Sequence, residues 1–242
     1  ENGNDAHSYF DIELCVAVVN GTTPLGRAYE GLCSTFLAKQ LPRDGYCPPL
    51  RLWIKPGSFT KLPSELSSDQ GAFETPILCI GAGTGVAPLR SLILEREARR
   101  TLVQKETSMV DSSVIPKTED DRDNILVFGC RKAQSDFYYK DEWESLSERK
   151  QLRLLTAFSR DQWHKIYVQQ VVGKTDDGLF VANHLLHRGG AIYVAGGAKM
   201  AQAVREEILE CLAKSLDGGE KQANIFLKKL QRIGRYSIEA WS

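Results

Sequence analysis

Apolar and polar positions follow two different rhythms along the chain. Up to residue 62, short apolar runs are separated by turn residues: "IELCVAVVN" (12–20) and "LRLWIKPGSF" (50–59), with Pro42, Pro48 and Pro49 interrupting. Such runs predict strands with intervening loops, and "GLCSTFLAKQL" (31–41) between them predicts a short helix. The piece is too small to close a barrel alone. It reads as a truncated β-domain, residues 1–62, ahead of a second domain at 63–242.

Beyond residue 75 the rhythm becomes strand, glycine-rich turn, helix, repeated. "TPILCIGAG" precedes "APLRSLILEREARRTL", "NILVFGCR" precedes "DFYYKDEWESLSER", and "QLRLLTAFSR" precedes "KIYVQQVVGK". "AIYVAGGAK" then precedes "MAQAVREEILECLAKSL", and a last helix, "ANIFLKKLQRIGR", leads into "YSIEAWS". Continuous apolar strands alternating with helices predict an α/β fold, a doubly wound five-stranded parallel sheet covered on both faces. In such sheets ligands bind outside the carboxyl ends of the strands. The polar stretch 104–124 predicts a mobile surface insertion.

Charge narrows the function. The chain carries 31 basic and 31 acidic side chains, so no basic excess points to nucleic acid. No apolar run reaches the length of a membrane span, and the polar start "ENGNDAHSYF" holds no signal-peptide core. The six cysteines, at 15, 33, 47, 79, 130 and 211, form no CxxC or Cys/His ligand pattern. They read as reduced thiols of a cytoplasmic protein, with no metal and no oligomer implied.

Candidate chemistry gathers at the strand ends. "GAGTGVAP" (81–88) joins a strand to a helix. There Gly83 and Gly85 permit close backbone approach, Thr84 adds a hydroxyl, and the helix start favours phosphate. The turn matches neither GxGxxG nor a lysine-bearing P-loop, and any tight strand-to-helix turn favours glycine. "FGCR" puts Cys130 and Arg131 at the next strand end. "AFSRDQWHKIYVQQ" (157–170) puts Ser159, Arg160, Lys165, Tyr167 and Gln169 at the third. A guanidinium, an ammonium and hydroxyl groups suit a dianionic phosphate; for Arg160 and Lys165 as one pair a solvated charge pattern would be the better reading, but both lie at the mouth of the predicted site.

The ordered set "GTGVAP … FGCR … AFSR…KIYVQ … AGGAKM … RYSIEAWS" resembles the carboxyl-terminal part of the NADPH-dependent diflavin oxidoreductases. These join FMN, FAD and NADP-binding domains, as in cytochrome P450 reductase. "AVVN…GLCSTFLA", "AGGAKM" and "WIKPGS" are most similar to the branch serving cytosolic iron–sulfur assembly. The resemblance implies a ferredoxin-NADP reductase-like nucleotide domain after a β-barrel FAD-domain remnant. It implies electron flow from NADPH to FAD to FMN, and an iron–sulfur acceptor of the anamorsin type. Ser159, Arg160, Lys165 and Tyr167 are then implied to hold the 2′-phosphate of NADPH. Gly31, Leu32, Cys33 and Ser34 match an FAD pyrophosphate turn, and Cys15 to Ala17 a strand along FAD. Trp241 matches the aromatic covering the flavin, and Glu239 a nearby carboxylate.

Two features depart from the family. Its upstream Arg-x-Tyr-Ser flavin segment is absent, so the chain is expected to hold FAD poorly. Ala195 and Gly197 stand where P450-reductase-like members carry a cysteine and an aspartate, and Cys130, at another strand end, is no substitute. Two alternatives stay open: a reductase for cytochrome P450 or another haem protein, and a non-catalytic NADP-binding module.

Overall fold

Strands need partners, and in the computed structural model only part of the first apolar segment finds one. The model describes residues 12–40, 49–57, 59, 75–107 and 123–241, and divides into two compact units, Glu1–Leu52 and Trp53–Ser242. In the first unit, β1 (Asn20–Thr22) pairs antiparallel with β2 (Ala28–Glu30). Of the strand predicted at 12–20 only Asn20 joins a ladder; Ile12, Leu14, Val16 and Val18 are exposed. The described part of 50–59 likewise forms no strand. An apolar run encodes a face to be covered, and does not itself supply the covering strand. Helix α1 (Leu32–Ala38) is shorter than the predicted 31–41. Gly31, extended at its start (φ −71°, ψ 125°), is not helical.

The second unit carries the parallel sheet. Its strands are β3 (Ile77–Ala82), β4 (Asn124–Cys130), β5 (Arg153–Phe158), β6 (Ala191–Gly197) and β7 (Tyr236–Trp241). They stand in the order β5-β4-β3-β6-β7, every neighbouring pair parallel. The chain winds from β3 outward to β5, then returns to the other side of β3 for β6. The winding therefore reverses between β3 and β6, where such sheets open a crevice.

Alternation along the strands feeds two cores. Leu78, Ile80, Val127, Ile192 and Val194 pack with α5 (Val168–Lys174), α6 (Phe180–Ala182), α7 (Ala198–Ser215) and α8 (Gly219–Arg232). Ile77, Cys79, Leu126, Phe128 and Tyr193 face the opposite way, onto α2 (Val86–Thr107) and α4 (Lys140–Glu148). All ten of those strand residues are fully buried, as the continuous apolar runs require. Among the described residues, no helix is long and apolar enough to cross a membrane.

Helix boundaries depart from the pattern in four places. Helix α2 runs past 102 to Thr107, into the predicted insertion, because "QKET" consists largely of good helix formers; residues 108–122 lie outside the described part. The helix predicted over 136–149 breaks: α3 is Ala133–Asp136, and Tyr139 (φ 59°, ψ 30°) separates it from α4. Helix α5 starts at Val168 and leaves Lys165 in a loop, since Tyr167 is extended and its N–H donates to Gln170 Oε1 at 2.9 Å. Helix α8 begins at Gly219 instead of 223, because its first turn (Glu220, Lys221, Gln222) offers no apolar signal.

At the amino edge of the sheet a buried arginine joins the elements. Arg96, 0% exposed, donates to Asn124 Oδ1 and to the Thr75 carbonyl, both at 2.9 Å. Asn124 in turn donates to Glu97, Arg100 bridges Glu97 and Asp123 at 3.0 Å each, and Arg188 reaches Asp123 at 3.3 Å.

His184 lies in a π-helical turn, Asn183–His187, ahead of β6. It is 1% exposed, with Nε2 3.0 Å from the Ala191 carbonyl, so Nε2 carries the hydrogen and donates. Burial, helped by Arg188 and Arg235, lowers its pKa to about 4 against the opposing effect of that hydrogen bond. The unfolded chain takes up this proton near pH 6.5, and the folded chain only near 4. Stability at this site is therefore present above pH 6.5 and falls as pH drops toward 4, by up to about 3 kcal/mol. Urea unfolding at pH 7, 5.5 and 4.5 should show a shallower pH dependence for His184→Gln than for wild type. Equal slopes would place the acid sensitivity elsewhere.

Candidate functional site

The turn after β3 is built by steric exclusion. Gly83 adopts φ 57° in open space, and a short 3₁₀ turn, Gly83–Gly85, runs into α2. A Cβ on Gly85 would lie 2.2 Å from the carbonyl oxygen of Ala195 in β6, so only glycine lets the turn rest on that strand. Ala82, at the head of the turn, has no side chain that could cap it, and the first turn of α2 contains no acidic residue. Its N–H groups, at the positive end of a 22-residue helix, are an anion-binding arrangement.

On one side of this turn, β4 and β5 continue pairing past their last strand residues. Ser159 N–H donates to the Cys130 carbonyl at 2.9 Å, and Arg160 N–H to the Arg131 carbonyl at 2.8 Å. Arg131 and Arg160 are thus backbone neighbours at the carboxyl edge. Arg131, Arg160 and Lys165 are exposed, and among the described residues none of the three is ion-paired. The Ser159 hydroxyl donates to the Cys130 carbonyl over a long 3.3 Å, an arrangement a phosphate could displace. Tyr167 is half-exposed where α5 begins, and Gln169 is partly buried within it.

Sequence reasoning passed over the residues that fix this loop. Asp161 Oδ2 accepts the Ala133 N–H at 2.9 Å, tying the loop after β5 to the start of α3. Gln162 Nε2 donates to the Phe158 and His164 carbonyls. The local signal was an acid directly after the strand-end arginine, a usual helix-start partner. Cys130 Sγ lies 3.5 Å from the Lys132 carbonyl, and burial, followed by Asp136 and Asp161, pushes its pKa up to about 11. At neutral pH it is a thiol, with no nucleophilic character.

On the other side lie the ends of β6 and β7. The register sets Ala195 against Glu239 and Gly197 against Trp241. Trp241 is 42% exposed on the edge strand, and a Cβ on Gly57 would meet Glu239 Oε2 at 3.3 Å. From β5 to β7 the carboxyl edge spans four inter-strand steps, roughly 19 Å at about 4.8 Å each. It thus gathers Gly83, Thr84, Gly85, Arg131, Ser159, Arg160 and Trp241 along one edge of a single sheet.

Gly31, Leu32, Cys33 and Ser34 belong to the first unit. There Ser34 Oγ accepts the Val19 N–H at 3.0 Å and lies 3.4 Å from the Gly31 carbonyl, which pins α1 to the chain before β1. Leu32 is 87% exposed and Cys33 is exposed as a free thiol. Cys15 is partly buried, while Val16 and Ala17 are exposed.

The sheet-bearing unit also matches a known family. The profile of the family described as "Oxidoreductase NAD-binding domain" matches residues 79–206, more than half of the chain. The chain is 35% identical over 239 residues to NADPH-dependent diflavin oxidoreductase 1 of Emericella nidulans, covering 95% of this chain and 33% of that one. With the protein of the same name in Danio rerio it shares 35% over 234 residues, 96% and 34% of the two chains. NADPH–cytochrome P450 reductase of Drosophila melanogaster is 32% identical over 233 residues, 96% and 31%. The chain spans about a third of the length of these relatives.

The two glycines of the turn should separate on substitution. Gly85→Ala forces a methyl against a backbone carbonyl that cannot rotate away, and should cost about 3 kcal/mol, as severe overpacking does. Gly83→Ala meets open space and pays only for the left-handed backbone, about 1–2 kcal/mol. Urea midpoints at pH 7 measure both. A Gly85→Ala protein as stable as wild type would mean that the turn does not rest on β6.

Proposed function

The chain belongs to the oxidoreductase NAD-binding domain family, and on that premise we propose that it is the NADP-binding part of a diflavin reductase. In this reading residues 63–242 bind NADPH and residues 1–62 are the end of an FAD-binding domain. The observation that carries it is the backbone pairing of Arg131 with Arg160, neither of them ion-paired among the described residues, beside the Gly83–Gly85 turn at the start of α2. The donor set fits the group. A pyrophosphate needs close backbone N–H groups, and a 2′-phosphate needs guanidinium and ammonium donors.

When bound, NADPH supplies a hydride and FAD accepts it; the chain's residues bind and orient. Gly83, Thr84, Gly85 and the start of α2 hold the pyrophosphate. Ser159, Arg160, Lys165 and Tyr167 hold the 2′-phosphate, with Arg131 and Gln169 on the adenosine side. Those donors stand at the ends of β4 and β5, so the ends of β6 and β7 would serve the nicotinamide end. Trp241, with Glu239 on the same strand, would cover the flavin. Ala195 offers no thiol, so no cysteine at the end of β6 moves a proton. Gly31, Leu32, Cys33 and Ser34, with Cys15 to Ala17, contribute to FAD.

For the longer protein we extend the reading to FMN and then to an iron–sulfur acceptor of the anamorsin type, in cytoplasmic iron–sulfur cluster assembly. The names of the fungal and fish relatives support the diflavin part. A second reading, a reductase for cytochrome P450, is supported by the similarity to the Drosophila reductase. Reduction assays of the longer protein with each acceptor decide between them.

Cofactor choice is the direct test of the binding site. Arg160→Ala and Lys165→Ala should each weaken 2′,5′-ADP by about 1.5–3 kcal/mol, as for hydrogen bonds to charged groups. Binding of 5′-AMP, which lacks the 2′-phosphate, should change little. Calorimetry with both ligands separates the cases. Equal losses would assign the two residues to adenine or to the fold, and a wild-type protein that binds neither ligand would refute the nucleotide reading.

A further inference from the structure

The proposed nucleotide site has two anchoring regions on different loops: the Gly83–Gly85 turn after β3, and Arg131 with Arg160 after β4 and β5. Something must hold the two at a fixed separation. Across the sheet the strand ladder does so; between β3 and β4 it stops at Ala82 and Gly129.

One turn into α2, Arg90 reaches out to the start of α4. Its Nε donates to Glu142 Oε2 at 2.5 Å and its Nη2 to Glu142 Oε1 at 3.1 Å, a bidentate pair. The two side chains are 22% and 30% exposed, so solvent screens them less than a surface pair. The same guanidinium lies over the Tyr139 ring, 4.5 Å from its centroid. Tyr139 holds φ 59° and ψ 30°, a left-handed conformation unfavourable for a bulky residue. Below it, its ring meets that of Trp143 edge-on at 6.3 Å. Trp143 is fully buried and donates from Nε1 to the Tyr138 carbonyl at 2.9 Å.

The left-handed turn thus serves a contact: it ends the connection from β4 and presents Tyr139 and Glu142 to α2. That connection is the segment that begins with Arg131, which is held at its other side by Arg160. Strain concentrated at a residue that joins two ligand-facing loops is characteristic of a functional site.

We propose that Arg90, Glu142 and Tyr139 form a positioning clamp that fixes the phosphate-binding turn relative to the Arg131–Arg160 pair. This inference rests on the nucleotide reading above. The three residues touch no part of the ligand. They act by keeping two anchoring regions in register, so that once one phosphate group is bound the second binds as an intramolecular event. Loosening the clamp lowers affinity for a ligand that spans both regions and leaves ligands that use one region unchanged.

The experiment compares three probes on the purified protein: NADP⁺, which spans both regions, 2′-AMP, which uses the arginine side, and inorganic pyrophosphate, which uses the turn. Glu142→Gln removes the ion pair. Arg90→Lys keeps the charge and loses the bidentate fork, and serves if Glu142→Gln does not fold. Either variant should weaken NADP⁺ on the order of tenfold, while 2′-AMP and pyrophosphate stay within about twofold of wild type. Losses of equal size for all three probes, in step with a fall in melting temperature, would make the cluster merely structural and overturn the proposal. Unchanged NADP⁺ affinity in both variants overturns it as well. Wild-type protein that binds 2′-AMP and pyrophosphate no more weakly than NADP⁺ would overturn the clamp alone, whereas wild type that binds none of them removes the nucleotide reading beneath it.

Discussion

The absence of one methyl group at Gly85 sets the geometry of the whole carboxyl edge. With a side chain there, the turn after β3 would stand off from β6, because the obstacle is the Ala195 carbonyl itself. The turn rests at the point where the winding of the sheet reverses. Helix α2 leaves from it, so the direction of that helix, and of the N–H groups at its start, follows from the contact. Arg90, on the second turn of the same helix, inherits its position and reaches Glu142 from there. A steric constraint at one residue is thereby carried to two other strand ends.

The opposite edge depends on a different kind of interaction. A fully buried arginine is costly unless its donors are met, and Arg96 meets Asn124 and the Thr75 carbonyl. Burial first, then the neighbouring Arg100, lowers its pKa to about 10, so it keeps its proton at neutral pH. Its partners sit where β3 and β4 begin, and Asp123 extends the network to Arg188, ahead of β6. Three parallel strands are thus joined at their starts by polar contacts, and β3 and β6 also at their ends by the glycine contact. The apolar layers between them need only fill space.

The sheet was legible because parallel strands buried on both faces write continuous apolar runs, and "ILCIGA", "NILVFGC" and "AIYVAGG" fall on β3, β4 and β6. The glycine turn and the strand-end arginines were legible as residue types at strand ends. What the pattern does not carry is anything that depends on a partner far along the chain. Nothing in "LEREARR" marks a buried cation, yet Arg96 is buried, with Asn124 and Thr75 opposite it. The break at Tyr139 carries no glycine or proline signal, since the contact with Arg90 compensates the strain. The run at 12–19 reads as a strand and is not one, because ladder formation is a property of two segments.

Charge is balanced in number and unbalanced in place. At the amino edge Arg100 and Arg188 are met by Glu97 and Asp123. Along the outer helices lysine and arginine pair with acids one turn away, as in Glu95 with Arg99 and Glu210 with Lys214. At the carboxyl edge the rule lapses. Arg131 and Arg160 are rooted on hydrogen-bonded neighbours with Lys165 in the loop beyond, and among the described residues no carboxylate pairs with any of them. Asp161, the acid closest in sequence, is turned to the Ala133 N–H instead. Gathering bases without acids raises electrostatic repulsion in the folded chain, and an anion that binds there relieves it. The same arrangement therefore costs stability at this edge and favours an anion there, and Asp161, the acid that would neutralise it, is used to fix the loop.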